Sequence, residues 1–145
     1  MVNEWFVELN EDEFMVSPLD VGQFIDKAEL LSKGKLWVGM DGGPRPWWHR
    51  FLGTQKRYVD SLFSLEWSSD AAALIFHDEN WSEYRALKNE ECAPFSEEIR
   101  KEISHGEANA ADDSECIEKA MAFKAIREAL EKGDRPNWLN YKFVK

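Results

Sequence analysis

Apolar and polar residues alternate from the outset: Trp5, Val7 and Leu9 lie on one side of the Glu4–Leu9 segment, with Glu4, Phe6 and Glu8 on the other. That period of two is the pattern of a half-buried strand. The acidic run Glu11-Asp12-Glu13 interrupts it, and Phe14–Val16 resumes it. The period then changes. Ser17-Pro18 supplies a helix start, with Ser as N-cap and Pro at the first position, where its missing N–H costs nothing. Val21, Phe24, Ile25, Ala28 and Leu31 follow at helical spacing, and Gly34 is expected to close the helix.

Lys35–Met40 is strand-like, and Asp41-Gly42-Gly43-Pro44 predicts a reversal or a wide loop. The next segment, Arg45-Pro46-Trp47-Trp48-His49-Arg50-Phe51-Leu52-Gly53, is aromatic and basic, and Pro46 argues against a central strand. Tyr58–Trp67 and the nearly all-apolar Ala71–Phe76 predict a hairpin turning at Ser68-Ser69-Asp70. Trp81–Leu87 would extend it to a meander after a connection at Asp78–Asn80.

Asn89–Ala111 is polar and broken by Pro94 and Gly106, with Phe95, Ile99 and Ile103 four apart, so it reads as a long loop holding a short helix or strand. Asp112 with Glu115 forms a capping-box pattern that opens a second helix, with Cys116, Ala120, Phe123, Ile126 and Leu130 along one face. Gly133 followed by Pro136 ends that helix, and Trp138–Phe143 predicts a final strand. Runs of strands separated by helices indicate an α+β fold. The expectation is one domain over residues 1–145, a mostly antiparallel sheet packed with two main helices at about 17–33 and 113–132.

Composition supports a folded body, since 43% of residues are hydrophobic and 13% aromatic, with seven Trp. Charge changes the picture more. Asp70–Glu118 carries fourteen acidic side chains against only Arg85, Lys88, Arg100 and Lys101, a net −10 that equals the charge of the whole chain. Such a concentration attracts a cationic partner and repels nucleic acid and anionic lipid.

Candidate chemistry is sparse. Cys92 and Cys116 lack a CxxC partner or a His at ligand spacing, and His49, His77 and His105 form no HExxH or HxH pattern, so no metal and no cofactor is expected. Asp41-Gly42-Gly43 lacks phosphate-loop spacing. His77-Asp78-Glu79 is the best ionisable cluster, but consecutive residues point in different directions. Trp47-Trp48-His49-Arg50 has the residue types that stack on single-stranded bases, against the field of the whole chain. The sequence therefore reads as a binding protein rather than an enzyme. The opening residues Met1-Val2-Asn3-Glu4-Trp5 show neither the basic start nor the long apolar run of a secretory signal, no window approaches the roughly 20 apolar residues of a membrane span, and a cytoplasmic location is expected.

The acidic stretch has a solubilising explanation, but Trp81 and Tyr84 stand among its carboxylates, and binding hot spots are enriched in such aromatics. The candidate partner-binding residues are Asp78, Glu79, Trp81, Glu83, Tyr84, Glu90, Glu91, Glu97 and Glu98. Asp112, Asp113 and Glu115 have a local role at a helix start instead.

The segment from Ala125 through Gly133-Asp134-Arg135-Pro136 to Leu139 resembles the closing segment of the Imm1 family of immunity proteins, where a helix runs into a Gly-x-Arg-Pro turn and a short final strand. The helix after Ser17-Pro18 and the small-residue strand Ala71–Phe76 are similar to that family in order and spacing. Trp-rich immunity proteins of the SUKH superfamily offer a second, looser likeness. The resemblance implies a bacterial antitoxin of a polymorphic toxin or contact-dependent growth inhibition system. Its partner would be a cognate toxin C-terminal domain, a basic nuclease or deaminase, with no small-molecule substrate and no direct contact with nucleic acid or membrane. No catalytic residue carries over. The alternative is an acidic adaptor or DNA-mimic inhibitor of a housekeeping nucleic-acid-binding protein.

Overall fold

Asn10 and Glu11 adopt φ of 50° and 77°, left-handed values that suit a two-residue hairpin turn. They join β1 (Trp5–Leu9) to β2 (Asp12–Val16), so the acidic run is the hairpin itself and its last two residues are already strand. The turn is tied to the next strand, because Asn10 accepts the Lys35 N–H through its side chain at 2.8 Å. The computed structural model describes residues 5–44, 57–78 and 82–145. The Trp47-Trp48-His49-Arg50 segment, Glu79 and Trp81 lie outside them.

Helix α1 (Val21–Glu29) starts and stops inside the expected bounds. Ser17 does not cap it; its carbonyl accepts the N–H groups of Asp20 and Val21 in a preceding turn. Val21, Ile25 and Ala28 are buried, whereas Leu31 is exposed beyond the end of the helix. Gly34 lies not at a helix end but in β3 (Lys33–Pro44), antiparallel to β4 (Arg57–Ser68). Asp41-Gly42-Gly43-Pro44 does not reverse the chain. The ladder continues to Pro44, and a register shift between Asp41 and Gly43 takes up the glycines, as a bulge does.

Strand β5 (Ala71–His77) follows through the two-residue turn Ser69–Asp70, and β6 (Glu83–Leu87) completes the meander. Among the described residues the sheet has eight strands in the order β2-β1-β3-β4-β5-β6-β8, all antiparallel, with β8 at Asn140–Val144. Strand β7 (Ile117–Glu118) pairs with the start of β5, on the edge whose far end takes β6.

Strand β5 is apolar from Ala71 to Phe76 because both its faces are covered there. On one side Ala72, Leu74 and Phe76 join a core with α1 and α3 (Lys119–Lys132), which contributes Ala122, Phe123, Ala125, Ile126 and Ala129. Trp67 anchors that layer, its ring edge-on to Phe123 at 5.1 Å and its indole N–H donating to the Leu31 carbonyl at 2.9 Å. Burying a side chain of Phe or Leu size contributes roughly 1.5–3 kcal/mol. On the other side Ala71 and Ala73 meet Ile103 and Cys116, with Phe95 and Ile99 alongside, as α2 (Glu97–Glu102) packs behind the sheet. Phe95, Ile99 and Ile103, spaced by four, are thus the face that docks.

Asp112 does not open the long helix. Its carboxylate accepts the Ser114 N–H at 2.9 Å and caps a single 3-10 turn at Asp113–Glu115. Cys116 and Ile117 then run extended, one to each side of the sheet, before α3 begins at Lys119. The helix ends at Gly133, which has φ of 78° and donates to the Ala129 carbonyl. Trp138 precedes β8 and is exposed, while Leu139 is buried. The architecture is α+β, with helices on both faces of the sheet.

Candidate partner-binding face

Along β6, side chains alternate between the two sides of the sheet. Tyr84, opposite Phe76, turns toward the α1–α3 layer and packs on Phe143 at 5.1 Å. The Arg135 guanidinium stacks on the Tyr84 ring at 3.7 Å, so the Gly-Asp-Arg-Pro turn clamps this tyrosine. Glu83 and Arg85 turn to the back. Tyr84 therefore does not stand beside Glu83 as the linear sequence suggested.

Arg85 is the hub of the back face. It meets Glu83 at 2.9 Å, Glu107 at 3.3 Å and Glu115 at 3.8 Å, and Lys142 adds a contact to Glu115 at 3.5 Å. Burial works against its charge, but the Glu83 hydrogen bond and charge, with Glu107 and Glu115, hold its pKa above the ordinary value. Lys88 pairs with Asp113, whose other oxygen accepts the Phe95 N–H at 2.8 Å. Arg100 donates to the carbonyls of Phe95 and Ala111, pinning the loop on either side of α2. Apart from the Glu83–Arg85 pair, two residues apart on one side of β6, and the Arg100–Phe95 bond, five apart, no spacing in the sequence announces these links, because the other partners are more than ten residues apart.

The candidate residues accordingly separate into groups. Asp78 accepts the Ser82 N–H at 2.9 Å across the β5–β6 connection. Glu83 and Tyr84 are engaged on opposite sides of the sheet. Glu90, Glu91, Glu97 and Glu98 are exposed, the first two in the turn after β6 and the others in the first turn of α2, where Ser96 caps by accepting the Ile99 N–H. Acidic residues in that first turn also suit the helix dipole.

His77 does not converge with Asp78. Its Nε2 lies 3.2 Å from Ser64 Oγ across the strands, while Asp78 turns to Ser82. Burial is the main cause lowering the His77 pKa, and the charge of His105 adds to it, against the opposing Glu83 and Asp78. Deeper in the back face, Glu66 accepts the His105 backbone N–H and meets Lys35 Nζ at 3.1 Å. These contacts join strands to the 103–107 turn. Among the described residues no helix is long and apolar enough to cross a membrane.

Comparison with known proteins finds no matching family model, no similar curated protein and no similar solved structure.

Proposed function

We propose that this protein is an immunity protein: a cytoplasmic antitoxin that binds a cognate toxin domain, a nuclease or deaminase acting on nucleic acid, and covers its basic active-site surface. One observation carries the reading. Arg85, Lys88 and Arg100, three of the four cations in the acidic stretch, have their charged groups tied to the protein's own carboxylates or carbonyls. Glu90, Glu91, Glu97 and Glu98 are left exposed. A toxin that grips phosphates must present Lys and Arg, and exposed carboxylates compete for those same groups. The likeness of the α3–β8 junction to the Imm1 closing segment adds support.

The test is affinity purification of the tagged protein from its host, asking whether one toxin C-terminal domain co-purifies and whether co-expression restores growth to cells making that domain. Charge reversal at Glu90 and Glu91, which lie in a turn outside any helix, is expected to weaken toxin binding without lowering the melting temperature; unchanged affinity would sink the assignment. Equal binding to a housekeeping nucleic-acid enzyme in cells with no toxin gene would favour the adaptor reading.

A further inference from the structure

Two depressions of about 240 and 400 Å³ share Cys92 and Glu118 as walls, forming a groove between the segment after β6 and the β7–α3 junction. Its apolar lining includes Ile117, Met121, Pro94 and Phe95. Asp70, Glu91 and Glu118 stand at it, all exposed. Among the described residues their carboxylates make no hydrogen bond or ion pair.

The lysines that line the groove have their charge engaged within the protein, and Lys88 Nζ also lies 5.8 Å from the Phe95 ring centroid. Lys88 is paired with Asp113, and Lys119 Nζ donates to the Glu29 and Leu31 carbonyls at 2.7 and 2.9 Å. The N-terminus of α3 brings a partial positive charge, but Glu118 occupies its N-cap position and opposes it. The groove therefore combines an apolar floor with a net negative rim. That combination suits a long cationic side chain, whose methylene stem lies on apolar surface while its charged head reaches carboxylates.

We infer that this groove receives a cationic segment of the toxin, an Arg or Lys flanked by apolar side chains. The inference rests on the immunity-protein reading and gives it a centre, around which the acids at Glu90, Glu97 and Glu98 would act as a rim that sets approach and orientation.

The first arm of the test uses a defined probe. The ¹⁵N-labelled full chain is titrated with the peptide acetyl-Leu-Arg-Leu-Lys-Leu-amide, with the same peptide carrying Glu in place of both cations, and with inorganic phosphate. Amide shifts are expected at residues 89–95 and 117–121 with the cationic peptide alone, and at least about fivefold weaker binding in the Glu91→Lys/Glu118→Lys variant. Phosphate or the acidic peptide shifting these residues equally, or no shift with the cationic peptide, overturns the groove.

The second arm uses the toxin domain that co-purifies. Alkylating Cys92 of the folded protein fills the seam of the groove without a substitution. It is selective because Cys116 is buried, with its thiol pushed up to about 12 by burial and by Asp113. Both the alkylated protein and the double variant are expected to lose about tenfold or more in toxin affinity, with Glu11→Lys/Glu13→Lys as a control of equal charge change that stays within about twofold. Toxin bound equally by all of them overturns the groove and leaves the immunity reading standing. Failure of any toxin domain to bind or be neutralised removes the immunity reading, and the peptide arm alone then decides the groove.

Discussion

Glu66 is 3% exposed, yet it places a carboxylate behind the sheet, where it accepts the His105 N–H and meets Lys35. Removing it leaves that backbone donor with no acceptor, and a buried unsatisfied group is more costly than a lost surface contact. Glu66→Ala is expected to cost roughly 2–4 kcal/mol in urea denaturation. Lys35→Ala should cost under about 1 kcal/mol, because the Lys35 side chain is 64% exposed. Equal losses would mean that the ion pair, not the backbone bond, fixes the 103–107 turn. His77 links the same face to pH. Its folded pKa is depressed by burial, so around and below the unfolded value near 6.5 the unfolded chain binds more protons. Stability is therefore lost as pH falls through that window, and His77→Asn should flatten the fall in urea midpoint between about pH 7.5 and 5.5. A variant that tracks the parent protein over that range would assign the acid sensitivity to carboxylates instead.

Two glycines that read alike in the sequence do different work in their elements. Gly133 has φ of 78° at the end of α3, a conformation in which a Cβ is strained, and nothing lies within 4 Å of where it would sit. Gly133→Ala should therefore cost about 1–2 kcal/mol from backbone strain alone. At Gly34 a Cβ would meet the Trp67 ring at 2.6 and 2.8 Å. Gly34→Ala is expected to cost roughly 1–3 kcal/mol by displacing that indole, with a changed near-ultraviolet circular dichroism or tryptophan fluorescence that Gly133→Ala should not share. Period-two and helical patterns made most elements legible in advance, since burial on one side imposes them directly. What escaped were the junctions. A helix-closing glycine and a glycine making room for a ring have the same letter, and the capping pattern at Asp112 satisfies a single 3-10 turn as well as a helix. The return of β7 to β5, which makes Ile117 and Glu118 strand and leaves Cys116 extended rather than helical, depends on the partner strand and leaves no local signal.

Across the whole molecule the legible feature of the candidate site was its charge, and the illegible one its geometry. The acids of Asp70–Glu118 were visible as a run, but only folding decides that Glu83 and Glu115 answer Arg85 while Glu90, Glu91, Glu97 and Glu98 stay exposed. Tyr84 was expected to anchor that face and instead points through the sheet to Arg135, because neighbours on a strand face opposite ways. An isolated protein that carries a net charge of −10 also has a consequence for its own stability. Unpaired like charges repel, while surface ion pairs such as Lys132–Glu128 at 2.8 Å contribute little. Raising salt from about 0.01 M to about 0.15 M shortens the screening length from about 30 to about 8 Å and weakens both. Repulsion should dominate, so the unfolding free energy of the free protein, and with it the urea midpoint, is expected to rise with added sodium chloride, the free energy by an amount on the order of 1 kcal/mol. Replacing Glu90 and Glu91, which support no helix end, with Gln should raise stability at low salt and shrink the salt response, as measured by parallel denaturation curves. A midpoint that falls with salt would mean that the ion pairs around Arg85 and Lys88 outweigh the repulsion. The field that makes these carboxylates available to a cationic partner would then be weaker than their exposure implies.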